Sequence, residues 1–276
     1  MKTFYFMSGL PRSGSTLLTA LLNQNSEIHA STNSPLLDTI HYTQEYLLHN
    51  SEQYKATPNP QGAHKVLSSI PHNYYFNTPQ NIIIDKSRGW VNQIQHITDY
   101  ITKDPKIICP VRSIQDILSS FLLLIHKTSR VSFIDEALLR NNLEITNDNR
   151  CDYLMSPQGI IGQSYHALQQ AFSKGYRNNI LLVEYDDLTR NPQQELNRIY
   201  EFLELPSYSH SFGNVIPKCD ENDEVYKLDN MHTVRNKVEK IHRDNSKYLS
   251  DYVMNKYNHM EFWRQTRTSQ YSVFGL

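Results

Sequence analysis

Hydrophobic side chains are spaced along this chain in two rhythms. Four short runs, at 3–8, 81–85, 106–111 and 180–184, are rich in Ile, Val, Phe or Tyr and nearly continuous in apolar character. Runs of that kind describe strands covered on both faces. Between them lie longer stretches where apolar residues return every three or four positions. Leu17, Leu18, Leu21 and Leu22 fall on one side of a helix over 15–25, and Val91, Ile94, Ile97 and Ile101 on one side of a helix over 91–101. The stretches 114–125, 158–172 and 192–203 read the same way, and Pro35 opens a further helix carrying Leu36, Leu37, Ile40 and Leu47. Strand–helix alternation predicts an α/β fold, a three-layer sandwich with a central parallel sheet of four to five strands.

Local signals sharpen the boundaries. Ser113 with Asp116 three residues on resembles a capping box, with Asp in place of Glu. Asn191 before Pro192 sets a capping residue ahead of a first-turn proline. Loops are expected at 57–62 and 147–157, and 206–230 reads as polar and irregular. Its acidic run, Asp220-Glu221-Asn222-Asp223-Glu224, is expected to be a solvated loop. No internal repeat is visible. With 276 residues, 39% of them hydrophobic, one domain over 1–276 is the simplest organisation, and the tail 264–276 either packs or frays.

Composition narrows the classes of function. Charged residues make up 20% and the formal net charge is -1, so no broad basic field exists to grip nucleic acid. Cys109, Cys151 and Cys219 form neither a CxxC pair nor a zinc spacing, and their odd number fits reduced thiols in a reducing compartment. The apolar start at 4–7 is too short for a signal core, and no run approaches a membrane-spanning length. A cytoplasmic protein without a membrane span is the expectation, as a monomer or a homodimer. No HExxH, cysteine–histidine set or calcium loop is present, so no metal is expected.

The candidate chemistry begins where the first apolar run ends. Gly9-Leu10-Pro11-Arg12-Ser13-Gly14-Ser15-Thr16 joins that run to the leucine-rich helix. A strand, a glycine-bounded turn and a helix start make an anion site of the P-loop nucleotide-binding type, because free backbone N–H groups and the positive helix end point at the ligand. Gly9 and Gly14 permit the turn, and Arg12, Ser13, Ser15 and Thr16 add donors. The spacing matches GxxxxGK[ST], but Ser15 stands where a nucleoside-triphosphate loop carries lysine. An ATP kinase would thereby lose its main γ-phosphate ligand.

Pro11-Arg12-Ser13-Gly14-Ser15-Thr16-Leu17-Leu18 resembles the 5′-phosphosulfate loop of PAPS-dependent sulfotransferases, which reads PRSGTTLL or close to it. The resemblance implies PAPS (3′-phosphoadenosine 5′-phosphosulfate) as donor and PAP as product. It also implies a second anion site for the 3′-phosphate, and Val111-Arg112 followed eight residues on by Ser120 is similar to the family's pattern there. Val183-Glu184-Tyr185-Asp186-Asp187-Leu188 resembles the family's strand end that brings a tyrosine, here Tyr185, near the adenine. Met231-His232-Thr233-Val234-Arg235-Asn236-Lys237 resembles a late segment that folds back over the nucleotide, with Arg235 adding charge at a phosphate.

By the same resemblance Lys86, in Asp85-Lys86-Ser87-Arg88, is the lysine that meets charge building on the leaving 5′-phosphate oxygen. Arg12 is a second stabiliser, and Arg88 could orient the acceptor. The family's familiar bases are absent: Arg88 stands where the cytosolic type has histidine, and 30–35 holds no glutamate. His41, Glu45, His64 and His232 are the replacements, with His232 favoured because its segment closes over the nucleotide. The acceptor is a small molecule, or a peptide or sugar, bearing a hydroxyl or amine. Residues 33–49 and the acidic loop near Asp220 are its candidate cleft. The alternatives are an atypical P-loop kinase and a non-catalytic nucleotide-binding protein.

Overall fold

A computed structural model describes residues 2–218, 221–241 and 244–264, so Cys219, Asp220 and the tail beyond Arg264 lie outside the described residues. Five strands, β1 (Thr3–Met7), β2 (Ile28–Asn33), β3 (Ile82–Lys86), β4 (Ile107–Val111) and β5 (Ile180–Glu184), form one parallel sheet in the order β2-β3-β1-β4-β5. The helices are α1 (Ser15–Leu22), α2 (Leu36–Gln44), α3 (Glu52–Ala56), α4 (Pro60–Tyr74), α5 (Ile94–Tyr100), α6 (Ile114–Lys127), α7 (Phe133–Arg140), α8 (Asn147–Met155), α9 (Ile160–Ser173), α10 (Tyr185–Arg190), α11 (Pro192–Phe202) and α12 (Asp251–Lys256).

Alternation along β1 explains the layers. Phe4 and Phe6 enter one apolar cluster with Trp90, Ile117, Phe121 and Leu168, while Met7 enters the other with Leu18, Leu21, Ile108, Val183 and Ile199. Successive residues of a strand point to opposite faces, so a sheet with two apolar faces needs helices on both. The three-layer α/β expectation is met, with five strands.

Four expectations about elements are corrected. The segment 147–157 contains helix α8 rather than a loop; Thr146 caps it by accepting from the Asn149 N–H, and Cys151, Leu154 and Met155 are buried. Its polar composition hid that short apolar face. Ser113 precedes α6 but makes no side-chain cap. Asp116 instead accepts from Arg112 Nε (3.4 Å) and Asn245 Nδ2 (2.8 Å). Asn191 likewise makes no side-chain cap, though Pro192 does open α11. The expected loop 57–62 is shorter, because α4 starts at Pro60 with Asn59 accepting from the Gly62 N–H.

Strand β2 had no apolar run to announce it. It is an edge strand, Ile-His-Ala-Ser-Thr-Asn, with a register shift between Ala30 and Asn33. Asn23 secures its start, exchanging two hydrogen bonds with the backbone of Ala30. The shift brings Asn33 opposite Lys86 at the carboxyl edge of the sheet.

Candidate functional site

The carboxyl ends of the strands carry the site, where open α/β sheets bind ligands. Past Met7 the chain stays against β4: Ser8 N–H donates to Ile108 O (2.9 Å) and Leu10 N–H to Pro110 O (3.0 Å). Gly9, at φ +108°, passes so close that a Cβ there would lie 2.5 Å from Pro110 O. Gly14, at φ +89°, precedes α1, and a Cβ there would lie 2.6 Å from the Tyr185 ring. Both positions therefore require glycine. The loop arches over the start of α1, whose first-turn N–H groups have no carbonyl within the helix to bond.

Arg12, Gly14, Ser15, Thr16, Lys86, Arg112, Ser120, Tyr185, His232 and Arg235 line one pocket. Ser13 does not face it with its side chain. Its hydroxyl is buried against the carbonyls of Leu10 (2.5 Å) and Pro110 (2.9 Å), which corrects the expectation of a hydroxyl donor there. Arg12 donates through Nε to Ser120 Oγ (3.2 Å) and through Nη1 to the carbonyl of Met231. The loop arginine thus joins the α6 serine and the late segment in one wall. Arg112 is 8% exposed and its guanidinium lies 4.3 Å over the Tyr185 ring, a cation–π contact that aims it across the pocket.

At the inner end, Lys86 is 5% exposed. The neighbouring Asp85 anchors the end of β3, accepting from Tyr75 Oη (2.5 Å) and Trp90 Nε1 (2.7 Å), and burial raises its carboxyl above the usual range. Lys86 Nζ contacts Glu221 Oε1 at 3.2 Å. The other oxygen of Glu221 accepts from Asn33 Nδ2 (2.7 Å) and lies 3.5 Å from His232 Nε2. His232 Nδ1 meets Asp223 Oδ1 at 2.6 Å, and its own N–H donates to Asp223 Oδ2 (3.1 Å). Burial lowers both Lys86 and His232, outweighing the carboxylates beside them.

The acidic run is only in part the solvated loop expected of it: Glu221 and Asp223 turn inward to Lys86 and His232, whereas Asn222 and Glu224 are exposed and Asp220 lies outside the described residues. Asn33 also joins the site, and Arg88, held low by burial, lines the pocket with it. No local pattern marks Glu221 or Asn33, because their partners are distant in sequence, and Asp223 meets His232, nine residues on, across an irregular loop. His41, Glu45 and His64 are not among the described residues that line the pocket. The described thiols Cys109 and Cys151 are buried and raised by burial, Cys151 to about 12. Among the described residues, no group of three or more His, Cys, Asp or Glu is arranged to hold a metal, and no helix is long and apolar enough to cross a membrane.

Comparison with known proteins agrees with this architecture. The profile of the sulfotransferase family matches residues 5–210, and the chain belongs to that family. Among solved structures it is similar to the sulfotransferase domain from the curacin biosynthetic pathway, at TM-score 0.54 and 16% identity, covering 95% of this chain and 92% of that one. It is also similar to a mouse sulfotransferase complexed with PAP, at TM-score 0.55 and 13% identity, covering 98% and 89%. At such identities the likeness is one of fold. No curated protein matches it in sequence.

Proposed function

We propose that this sulfotransferase takes its sulfuryl group from PAPS and passes it to a hydroxyl or amine acceptor, releasing PAP. One observation carries the reading. The glycine-bounded loop, the Arg112–Ser120 pair and Lys86 come from three strand ends, yet they face a single pocket with cations along its length. A doubly phosphorylated adenosine fits that donor set, since it offers an anion at each end and an aromatic base between.

The backbone N–H groups of Ser13, Gly14, Ser15 and Thr16, with the hydroxyls of Ser15 and Thr16, hold the 5′-phosphate end. Arg112, Ser120 and Arg12 hold the 3′-phosphate, with Arg235 adding charge at the rim. Tyr185, steadied by Arg112, offers its ring edge to the adenine. When bound, the donor supplies an activated sulfuryl group whose leaving oxygen gathers negative charge. Lys86 neutralises that charge, and its burial strengthens the effect because little water competes. Arg88, which lines the same pocket, orients the acceptor. Ser15, lacking a lysine's reach to a γ-phosphate, counts against a kinase.

Calorimetry with PAP and with ATP tests the reading. PAP is expected to bind at micromolar Kd without magnesium, and Arg112→Ala to weaken it about 10- to 100-fold, the worth of one charge-assisted hydrogen bond. ATP binding that requires magnesium, with PAP ignored, would replace it with phosphoryl transfer.

A further inference from the structure

A second cavity adjoins the first. Thr16, Asn33 and Lys86 line both, so the two meet where Lys86 stands. The second is walled by β2, by Tyr74 and Tyr75 at the end of α4, and by Pro217 and Lys218. Among the described residues, Glu221 lines the second cavity and not the first, whereas His232 lines the first and not the second. Of residues 33–49, expected as the acceptor cleft, Asn33 and Ser34 line this cavity.

We propose that the acceptor, a compound with a neutral hydroxyl, occupies this second cavity and that Glu221 takes its proton. The inference rests on the sulfuryl-transfer function proposed for the chain. In-line transfer sets the attacking and leaving oxygens on opposite sides of sulfur. Lys86, at the junction, serves the leaving oxygen. The proton acceptor must then stand on the side away from the nucleotide, which is the side of Glu221. A base acts only within hydrogen-bond reach of the proton it removes. Glu221 has an 8% exposed side chain whose plane is set by Lys86 on one oxygen and Asn33 on the other. His232, tied to Asp223, is a positioning residue that holds the loop carrying Glu221.

The step balances. The acceptor oxygen forms the new bond to sulfur. The bond from sulfur to the 5′-phosphate oxygen breaks, and its electron pair stays on PAP beside Lys86. As Lys86 turns to that oxygen it leaves Glu221 Oε1 free, and the acceptor's proton passes there, to be lost to solvent after product leaves.

Two probe reactions test this without knowledge of the natural acceptor. The first is PAPS consumption with water as acceptor, which requires proton removal. The second is sulfuryl exchange from p-nitrophenyl sulfate to PAP, where the attacking phosphate is already anionic and the phenolate leaves without a proton. In Glu221→Gln the ratio of the first rate to the second should fall about 100-fold, and Glu221→Asp should restore part of it. A ratio unchanged in Glu221→Gln would overturn the inference, leaving Glu221 as a mere holder of Lys86. So would wild-type PAPS consumption no faster than the enzyme-free blank. PAP binding, measured alongside, separates the cases: if the wild type does not bind PAP, it is the transfer function that fails.

Discussion

The floor of the pocket and its roof are built on different principles. The floor consists of strand ends and the turns that follow them: Met7 to Ser15, Lys86, Arg112 and Tyr185. Each lies at or just after the end of a strand paired into the sheet, as when Met7 registers with Lys86 and Val111 with Glu184. The roof, 221–241, contains no α-helix or strand among its described residues, and its one regular element is the 3-10 turn Asp223–Tyr226. Side chains hold it down: Glu221 on Lys86, Lys227 on Glu136 (2.6 Å) and Lys240 on Asp186 (3.1 Å), with Asp223 and His232 tied together inside it. Two backbone bonds tie its far end to 212–215. Sheet pairing is cooperative and indifferent to a ligand. The roof's contacts are not, since they use Lys86 in an ion pair and Arg12 in a hydrogen bond to Met231 O, cations that an anionic ligand would also claim.

The largest expected effect breaks the two regions apart at their meeting point. Lys86→Ala should cut sulfuryl transfer about 10²- to 10³-fold, as removal of one charge-stabilising donor does, while PAP still binds within a few-fold. Rates and calorimetry on the same preparation check it. If transfer survives, the lysine serves only to anchor the roof.

A change in the floor alone should cost stability. Gly14→Ala forces a Cβ onto a φ of +89° and into the Tyr185 ring, so a loss of about 1–3 kcal/mol in denaturant unfolding is expected, with weaker PAP binding. Unchanged stability would mean that the loop relaxes away from Tyr185 without cost.

The smallest effect belongs to the roof and to pH. His232 is held below its ordinary value of 6.5, chiefly by burial. The unfolded chain then takes up its proton first as pH falls, so this contribution to stability is present above 6.5 and is lost below it. His232→Gln should flatten the fall in Tm between neutral and mildly acid pH by about 2 °C or less. A steeper fall in the variant would reverse the sign and make His232 a stabilising cation.

This contrast also divides what was legible in the chain. The central strands were readable because strands buried on both faces must be apolar along their whole length. Strand β2 was not: only Ile28 and Ala30 of its six residues enter the apolar core, unlike the other edge strand, β5, which is buried along its whole length. Around the site, Gly9, Arg12, Gly14 and Ser15 were readable as a group, because a strand, a tight turn and a helix start constrain one another locally. Ser13 was misjudged from the same stretch: which way a hydroxyl points depends on Pro110, across the sheet. Glu221 and Asp223 were taken for solvent-facing charges because their partners, Lys86 and His232, are assigned by packing rather than spacing.

Local sequence thus determined the α/β alternation, the glycine-bounded turn and the cations at strand ends, since each follows from steric and periodic rules acting over a few residues. Only the tertiary structure decided that Arg12 meets Ser120, that an acidic loop folds inward onto Lys86, and that two cavities share that lysine. Those outcomes depend on groups 100 or more residues apart meeting in a water-poor interior, where a buried charge left without a partner is costly.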